Sequence, residues 1–356
     1  IPVFYEEIEE ALVLIFGDEA RQAKVPELLH FGSWVGGDMD GLPDVHAKTI
    51  RESCARHHAL IVNRYFLEAL RLAEKLSQSE RRTPNIPQPL RDRIEHYKSV
   101  VPAARASAPS GHDEMPYRVL LGQIAERLRA TYDHRSGQYE RVEQLTDDLQ
   151  IIVNSLEANR GRYAGLFLIR RFLRRVRTFG LHLATLDVRQ NAEVHRQIVG
   201  RALAEPGWET RTAAERVERL RDALARDESP PEVLEAAGKR ALWVFEAMDY
   251  CRHRYGQAAV GSYVVSMARD IDDVLSVLLL ARWAGLVDTS NGQVSLDVAP
   301  LFESVAALDA AGPTLARLLA DPLYRDHLAA RGNRQVVMIG YADSNKESGI
   351  ASSRWL

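Results

Sequence analysis

Apolar residues return along this chain in two rhythms. Over Glu6–Ile15, Ala47–Leu76, Tyr117–Tyr132 and Val142–Leu156 they recur at every third or fourth position, the spacing of a helix with one buried face. Ile50, Cys54, His57, Leu60 and Ile61 carry that stripe in the second of these runs. In Tyr163–Val176 the stripe is Leu166, Ile169, Leu173 and Val176, while Arg170, Arg171, Arg174, Arg175 and Arg177 line the other face. Such a row of arginines is either an anion site or a solvated polar face. Beyond residue 178 the rhythm changes. His182–Val188, Ser262–Met267, Val294–Ala299 and Gln335–Tyr341 read as strands. Between them lie helical runs over Ala192–Leu203, Asp272–Trp283 and from Val305 onward, the second capped by Asp270 or Asp272. Phe31–Val35 reads as a further strand running into a loop, and the chain turns at Asp343–Gly349.

Strands that alternate with helices make β/α units on a parallel sheet. The expected organisation is a mainly helical region over 1–178, with a first barrel strand and the GGDMDG loop, followed by barrel β/α units over 179–356. The helices before that point read as additions to the barrel. Ser77–Pro89 holds three prolines and reads as a surface connection. Ser107–Met115, poor in apolar anchors, is expected to be among the least ordered interior segments.

Composition narrows the function classes. The chain has 356 residues, 46% hydrophobic and 27% charged, with a net charge of -3, and no concentrated basic excess marks a nucleic-acid face. No run of about 18 apolar residues marks a membrane span. The two cysteines, Cys54 and Cys251, have no metal-ligand spacing and are expected to be buried thiols in a reducing, cytoplasmic setting. The chain opens at Ile1-Pro2 and stops at Trp355-Leu356, inside what reads as a new helix, so it is expected to be a piece of a longer protein.

In a β/α barrel, chemistry sits where strands end and loops begin. Gly36-Gly37-Asp38-Met39-Asp40-Gly41 follows the first proposed strand; glycines there let backbone approach a ligand closely. A twelve-residue EF-hand calcium loop counted from Asp38 ends on Thr49, where that pattern needs Glu, so calcium is not expected. Arg189 follows the second strand. Its planar fork suits a carboxylate or phosphate, and the alternative is an ion pair with Asp187 or a neighbouring loop. Glu303 and Asp343 follow two successive strands and are placed to share one hard divalent cation; the alternatives are helix caps or surface charges. Lys346 nearby suits a phosphorylated substrate.

These residues carry a family resemblance. Val337–Gly349, with Gly340-Tyr341-Ala342-Asp343-Ser344-Asn345-Lys346 at its centre, resembles a signature of the phosphoenolpyruvate carboxylases, with Ala342 where the family usually has Ser. Phe31–Gly41 resembles another of its segments, with Met39 in place of a frequent Arg and Leu42 in place of the usual Asn. Leu186–Gln190, Tyr263–Ala268 with Asp273–Leu275, and Ala299–Glu303 are similar to three more, all in the family's order.

The resemblance implies an α/β barrel of the (β/α)8 type, partial here, with many additional helices and a predominantly helical chain. It implies carboxylation of phosphoenolpyruvate by bicarbonate to oxaloacetate and phosphate, with Mg²⁺ or Mn²⁺ as cofactor and a homo-oligomer, usually a tetramer, in the family. Carried over position by position, Glu303 and Asp343 match metal ligands, Arg189 and Lys346 catalytic groups, and Arg189 and Trp34 substrate contacts. Leu301 and Met338 match an apolar pocket for carbon dioxide. No segment resembles the family's TAHPTE motif, its glycine/arginine loop or its C-terminal effector region, so this chain alone is expected to be inactive. His46, His182 and His195 are assigned structural roles. The competing readings are a non-catalytic scaffold or degenerate relative, and another metal-dependent lyase that binds phosphoenolpyruvate or pyruvate.

Overall fold

The structure, a computed structural model, describes residues 1–80, 86–102, 114–159 and 161–355. The segment expected to be poorly ordered, Ser107–Met115, lies outside the described residues except for its last two positions. The chain forms two compact units: Ile1–Phe31 with Ala55–Ala184, and Gly32–Cys54 with Thr185–Leu356. Gly32–Cys54 thus belongs with the strands and not with the helical segments that flank it in sequence.

In the first unit, helices Pro2–Phe16, Gln88–Val100, Pro116–Tyr132, Val142–Ala158 and Leu166–Phe179 pack with the greater part of Ala47–Lys75. Tyr65, Leu72, Leu120, Ile124, Leu149, Ile152, Ile169 and Phe172 are fully buried at their centre. The arginine face of Leu166–Phe179 is a set of cross-ties. Arg171 grips Glu6 through two hydrogen bonds of 2.7 and 2.6 Å, Arg170 pairs with Glu157, Arg174 with Glu9 and Glu27, and Arg175 with Glu68. Carboxylates of neighbouring elements thus match these arginines, so the anion-site reading is not borne out. The helix begins at Leu166 and not Tyr163 because Gly165 takes a left-handed turn at φ 105°. Deeper in the unit, buried Asp148 accepts hydrogen bonds from Tyr97, Tyr139 and Arg93, with Arg127 4.0 Å away.

The second unit holds five parallel strands in sequential order, curled as half a barrel: β1 Gly32–Ser33, β2 Thr185–Asn191, β3 Val260–Ser266, β4 Val298–Phe302 and β5 Met338–Ile339. Helices Ala192–Ala202, Ala213–Ala225, Ala236–Tyr255, Ile271–Trp283, Val305–Ala320 and Pro322–Ala330 run between them. Side chains at their starts fix several of these: Asn191 accepts from Glu193, Thr212 and Glu215 form a capping box, as do Asp270 and Asp273, and Ser304 accepts from Ala307. The two readings of the Ile271–Trp283 cap resolve to Asp270.

Strand boundaries differ from expectation. β2 starts three residues later than His182 because Leu183 sits at φ 65°, which breaks an extended run. β4 runs on through Pro300, which pairs with Val265, where a proline reads as a strand end. β1 and β5 are two-residue strands. Asp343–Gly349 is not a turn. It opens a helix, Ala342–Trp355, interrupted at Gly349 with φ 79°. Among the described residues no helix is long and apolar enough to cross a membrane.

Alternation along the strands sorts their side chains. Leu186, Val188, Tyr263 and Val265 are buried on the helix-packed face, where the Tyr263 ring stacks on Phe245 and its hydroxyl meets His195 at 2.8 Å. Arg189, Val264, Leu301 and Met338 belong to the inner face.

Candidate active site at the strand ends

The glycine pair after β1 is required by close approach. A β-carbon on Gly36, which has φ 85°, would sit 2.0 Å from the Ser53 hydroxyl; one on Gly37 would sit 2.2 Å from the Asp187 carbonyl oxygen. Lacking them, the loop lies against β2. The Arg189 N–H donates to the Gly37 carbonyl at 2.9 Å and the Met39 N–H to the Arg189 carbonyl at 2.8 Å. This ladder brings Asp38 alongside Arg189, and the guanidinium grips its carboxylate at 2.8 and 2.9 Å. Arg189 is therefore ion-paired, as one reading had it, but with Asp38 and not with Asp187. Asp187 instead accepts from the Ser262 N–H at 3.0 Å.

The Arg189 guanidinium also lies 4.7 Å from the centre of the Trp34 ring, and its remaining terminal nitrogen is 3.9 Å from Glu303. Burial is the largest single effect and works against that charge, but the Asp38 hydrogen bonds and the charges of Asp38, Asp40 and Glu303 together raise the pKa above its usual value. Arg189 is thus a permanent, oriented cation.

Glu303 follows β4 and is buried. One of its oxygens accepts the Met267 N–H at 2.9 Å. Burial pushes its carboxyl above the ordinary glutamate range; the Met267 N–H and Arg189 pull it back, while the charges of Asp343 and Asp40 add to the rise. Asp40 is held by the Ser266 hydroxyl at 2.7 Å and, at 3.4 Å, by the Asn191 amide. Asp343 lies half-exposed in the first turn of Ala342–Trp355 and pairs with Lys346 at 3.1 Å. Below these groups, Leu301 stands opposite Met338 in register, and both join Val264, Ala299 and Trp34 in one apolar cluster.

Of the residues singled out in the sequence, Arg189, Trp34, Glu303, Leu301 and Met338 thus share one face of one unit, with Asp343 within electrostatic reach of Glu303. Lys346 is highly exposed, and Asp343 is its ion-pair partner. His195 faces the other way, and burial lowers its pKa to about 3. His182, in the other unit, is pushed down to about 4 by burial and the nearby His57. His46 meets Thr49 at the surface. Sequence reasoning passed over Asp38, Asp40, Ser266 and Asn191 as site members. The signal for the first two was the Gly36-Gly37 pair, which marks backbone contact with another strand as well as with a ligand.

The charges of Asp343 and Asp40 both act on Glu303, while Arg189 is already paired with Asp38. That electrostatic excess, made of oxygen donors only, fits a hard divalent cation of the Mg²⁺ or Mn²⁺ kind. Among the described residues no three ligand-type side chains converge closely enough to hold an ion unaided. Mg²⁺ typically takes one or two protein carboxylates and completes its shell with water and substrate oxygens.

Five parallel strands curled as half a barrel, with an arginine, carboxylates and an apolar floor at their ends, are consistent with a partial β/α barrel, a fold that carries its chemistry at the strand ends. Comparison with known proteins narrows the class. The family model for phosphoenolpyruvate carboxylase matches residues 1–356. The chain is 45% identical over 355 residues to a phosphoenolpyruvate carboxylase of Xanthomonas oryzae pv. oryzae, 34% identical over 384 residues to one of Ralstonia nicotianae, and 33% identical over 378 residues to one of Roseiflexus castenholzii. Each match takes in 100% of this chain but 39%, 38% and 40% of those proteins respectively. The chain belongs to the phosphoenolpyruvate carboxylase family and spans about 39% of the length of the curated relatives it matches.

Proposed function

We propose that this chain supplies the metal-holding and substrate-anchoring part of a phosphoenolpyruvate carboxylase, which joins phosphoenolpyruvate and bicarbonate to give oxaloacetate and phosphate. The observation that carries the reading is the shared inner face of Arg189, Trp34, Glu303, Leu301 and Met338, three of them within one apolar cluster. Glu303 and Asp343 would hold Mg²⁺ or Mn²⁺. The ion, when bound, supplies Lewis-acid stabilisation of developing negative charge.

The chain's own groups divide the remaining work. Arg189, fixed by Asp38 and flanked by Trp34, binds an anionic group of the substrate without having to reorganise. The Met267 N–H holds one Glu303 oxygen and leaves the other for a ligand. Leu301, Met338 and Trp34 form a floor that excludes water from a reactive carbon and suits a small apolar molecule such as carbon dioxide. Proton transfer and further phosphate contacts belong to segments that the resemblance places outside this chain. Work in the cytoplasm as a homo-oligomer, with Lys346 admitting substrate at the rim, belongs to the same proposal.

A coupled assay for oxaloacetate tests it. The longer protein is expected to turn over, to lose activity on Arg189→Met or Glu303→Gln, and the 356-residue chain alone to be inactive. Turnover by the isolated chain near an ordinary enzyme's, on the order of 10 s⁻¹, would overturn the division of labour described. Full activity of both variants would overturn the site.

A further inference from the structure

β3 ends in a strained turn. Ser266 closes the strand, fully buried, and Met267 follows it at φ 54°. A non-glycine residue keeps that left-handed conformation only where its surroundings over-determine it, and such residues gather at functional sites. Here the turn directs two successive N–H groups toward β4: Met267 donates to one Glu303 oxygen at 2.9 Å, and Ala268 to the Leu301 carbonyl at 3.3 Å. Successive N–H groups presented from a turn make a cradle for an anion. One residue earlier, the Ser266 hydroxyl donates to one Asp40 oxygen at 2.7 Å. The other Asp40 oxygen accepts from the Asn191 amide at 3.4 Å, and Asn191 is the partner of Ser266 in the register of β2 and β3. Asn191 is itself held, because its side-chain oxygen accepts the Glu193 N–H at 2.9 Å.

We propose that the Ser266-Met267 turn is a selectivity device: by tethering Asp40 and one oxygen of Glu303, it makes the cation site favour a small octahedral ion of the Mg²⁺ or Mn²⁺ kind over Ca²⁺. This rests on the reading of Glu303 as a metal ligand. Ser266 is a positioning residue that acts through Asp40, and Met267 one that acts on Glu303.

The two ions ask different things of a carboxylate. Ca²⁺ takes about 6–8 oxygens at roughly 2.3–2.6 Å in a flexible shell and accepts bidentate carboxylates, whereas Mg²⁺ needs a near-ideal octahedron at roughly 2.0–2.1 Å. Both tethers work against calcium. With one oxygen committed to the Met267 N–H, Glu303 offers a single oxygen and cannot clasp an ion with both. With one oxygen on Ser266 and the other on Asn191, Asp40 is kept from swinging in as the additional ligand that the larger ion needs. An octahedral ion loses nothing by this, since water and substrate oxygens complete its shell.

Mn²⁺ binding to the 356-residue chain is followed by the paramagnetic resonance of the free ion, with Ca²⁺ titrated in as competitor. Ser266→Ala is expected to lower the preference for Mn²⁺ over Ca²⁺ about tenfold, the scale on which the outer partners of metal ligands act, through a gain in Ca²⁺ affinity. Adding Asp40→Ala to that variant removes the freed carboxylate and is expected to abolish the gain. Met267→Val, whose branched side chain resists a positive φ, is expected to lower the preference in the same direction. A turn with a merely structural role would weaken both ions together and strengthen neither. Equal weakening of both ions, or the native preference in Ser266→Ala, would therefore overturn the device. So would a gain in Ca²⁺ affinity that survives Asp40→Ala. A native chain that binds no Mn²⁺ would overturn the metal reading of Glu303 and the device with it; Mn²⁺ binding with an unmoved preference would overturn the device alone.

Discussion

Gly340 is the most informative position to change. It follows β5 and lies against the residue that follows β4, donating its N–H to the Phe302 carbonyl at 2.7 Å. A β-carbon on Gly340 would sit 2.3 Å from the Glu303 β-carbon and 2.5 Å from its α-carbon. Carbon atoms in ordinary contact are about 3.5–4.0 Å apart, so Gly340→Ala must separate the two strand ends by roughly 1 Å or more. Neither clashing atom is the tip of a flexible side chain, so no rotamer change relieves the contact. Overpacking of this kind costs about 1–3 kcal/mol, and about 2–4 °C of melting temperature per kcal/mol for a body of 150–250 residues. The same displacement parts Glu303 from Asp343, and a misplacement of about 1 Å can cost on the order of 100-fold in a site that depends on geometry. Gly122→Ala is the control. Gly122 lies in the middle of Pro116–Tyr132 with nothing within 4 Å of a new β-carbon, so alanine there is expected to stabilise by about 0.5–1 kcal/mol. Thermal unfolding and Mn²⁺ binding, followed by the paramagnetic resonance of the free ion, read both effects. A Gly340→Ala chain that melts with the wild type and binds Mn²⁺ equally well would refute the reasoning.

Glu303 is expected to make the metal-free chain pH-sensitive. Its folded-state pKa is raised by burial and by the charges of Asp343 and Asp40, so its contribution to stability is present below the unfolded glutamate pKa and is lost as pH rises through the folded value. Glu303→Gln is therefore expected to be the more stable chain at neutral pH without metal, with the gap closing on acidification; a gap that widens at low pH would contradict the sign. Asp38→Ala is expected to release Arg189 toward Glu303, 3.9 Å away, and to weaken Mn²⁺ binding about tenfold, worth ~1.4 kcal/mol; unchanged binding would show that Asp38 does not hold the guanidinium back. Asp148→Ala strands Tyr97, Tyr139, Arg93 and Arg127 in the helical unit and is expected to cost about 3–5 kcal/mol, read from the urea midpoint.

Local patterns carried much of this architecture. The apolar stripe of Leu166, Ile169, Leu173 and Val176 located a helix to within a few residues, because burial of one face imposes its period. Asp270 or Asp272 marked a helix start, and the structure gives the cap to Asp270, because a cap is a contact between near neighbours. What the sequence concealed is long-range. Asp38 and Arg189 are 151 residues apart, and nothing nearby distinguishes that partner from Asp187. Pro300 misplaced the end of β4, since the rule that confines proline to strand edges is statistical and Val298–Phe302 is buried throughout. Ser344, Asn345 and Gly349 gave a helix the composition of a turn. The site residues came from resemblance to known motifs; spacing alone left Glu303, Asp343 and Arg189 each with a structural alternative.

The order of the chain also sets a schedule. Gly32–Cys54 belongs with the strands, yet residues 55–184 are made before β2 exists. At 5–20 residues per second, the separation of 151 residues from Asp38 to Arg189 occupies the ribosome for roughly 8–30 s. Throughout that interval the GGDMDG loop has no β2 to lie against, while the helical unit, whose residues are already emerging, is free to bury its own core. Arg189 finds its orienting carboxylate only at the end of this wait. Of these two units the half-barrel is therefore the later to be assembled, and a chain arrested early in synthesis carries the loop without the strand that gives it a shape.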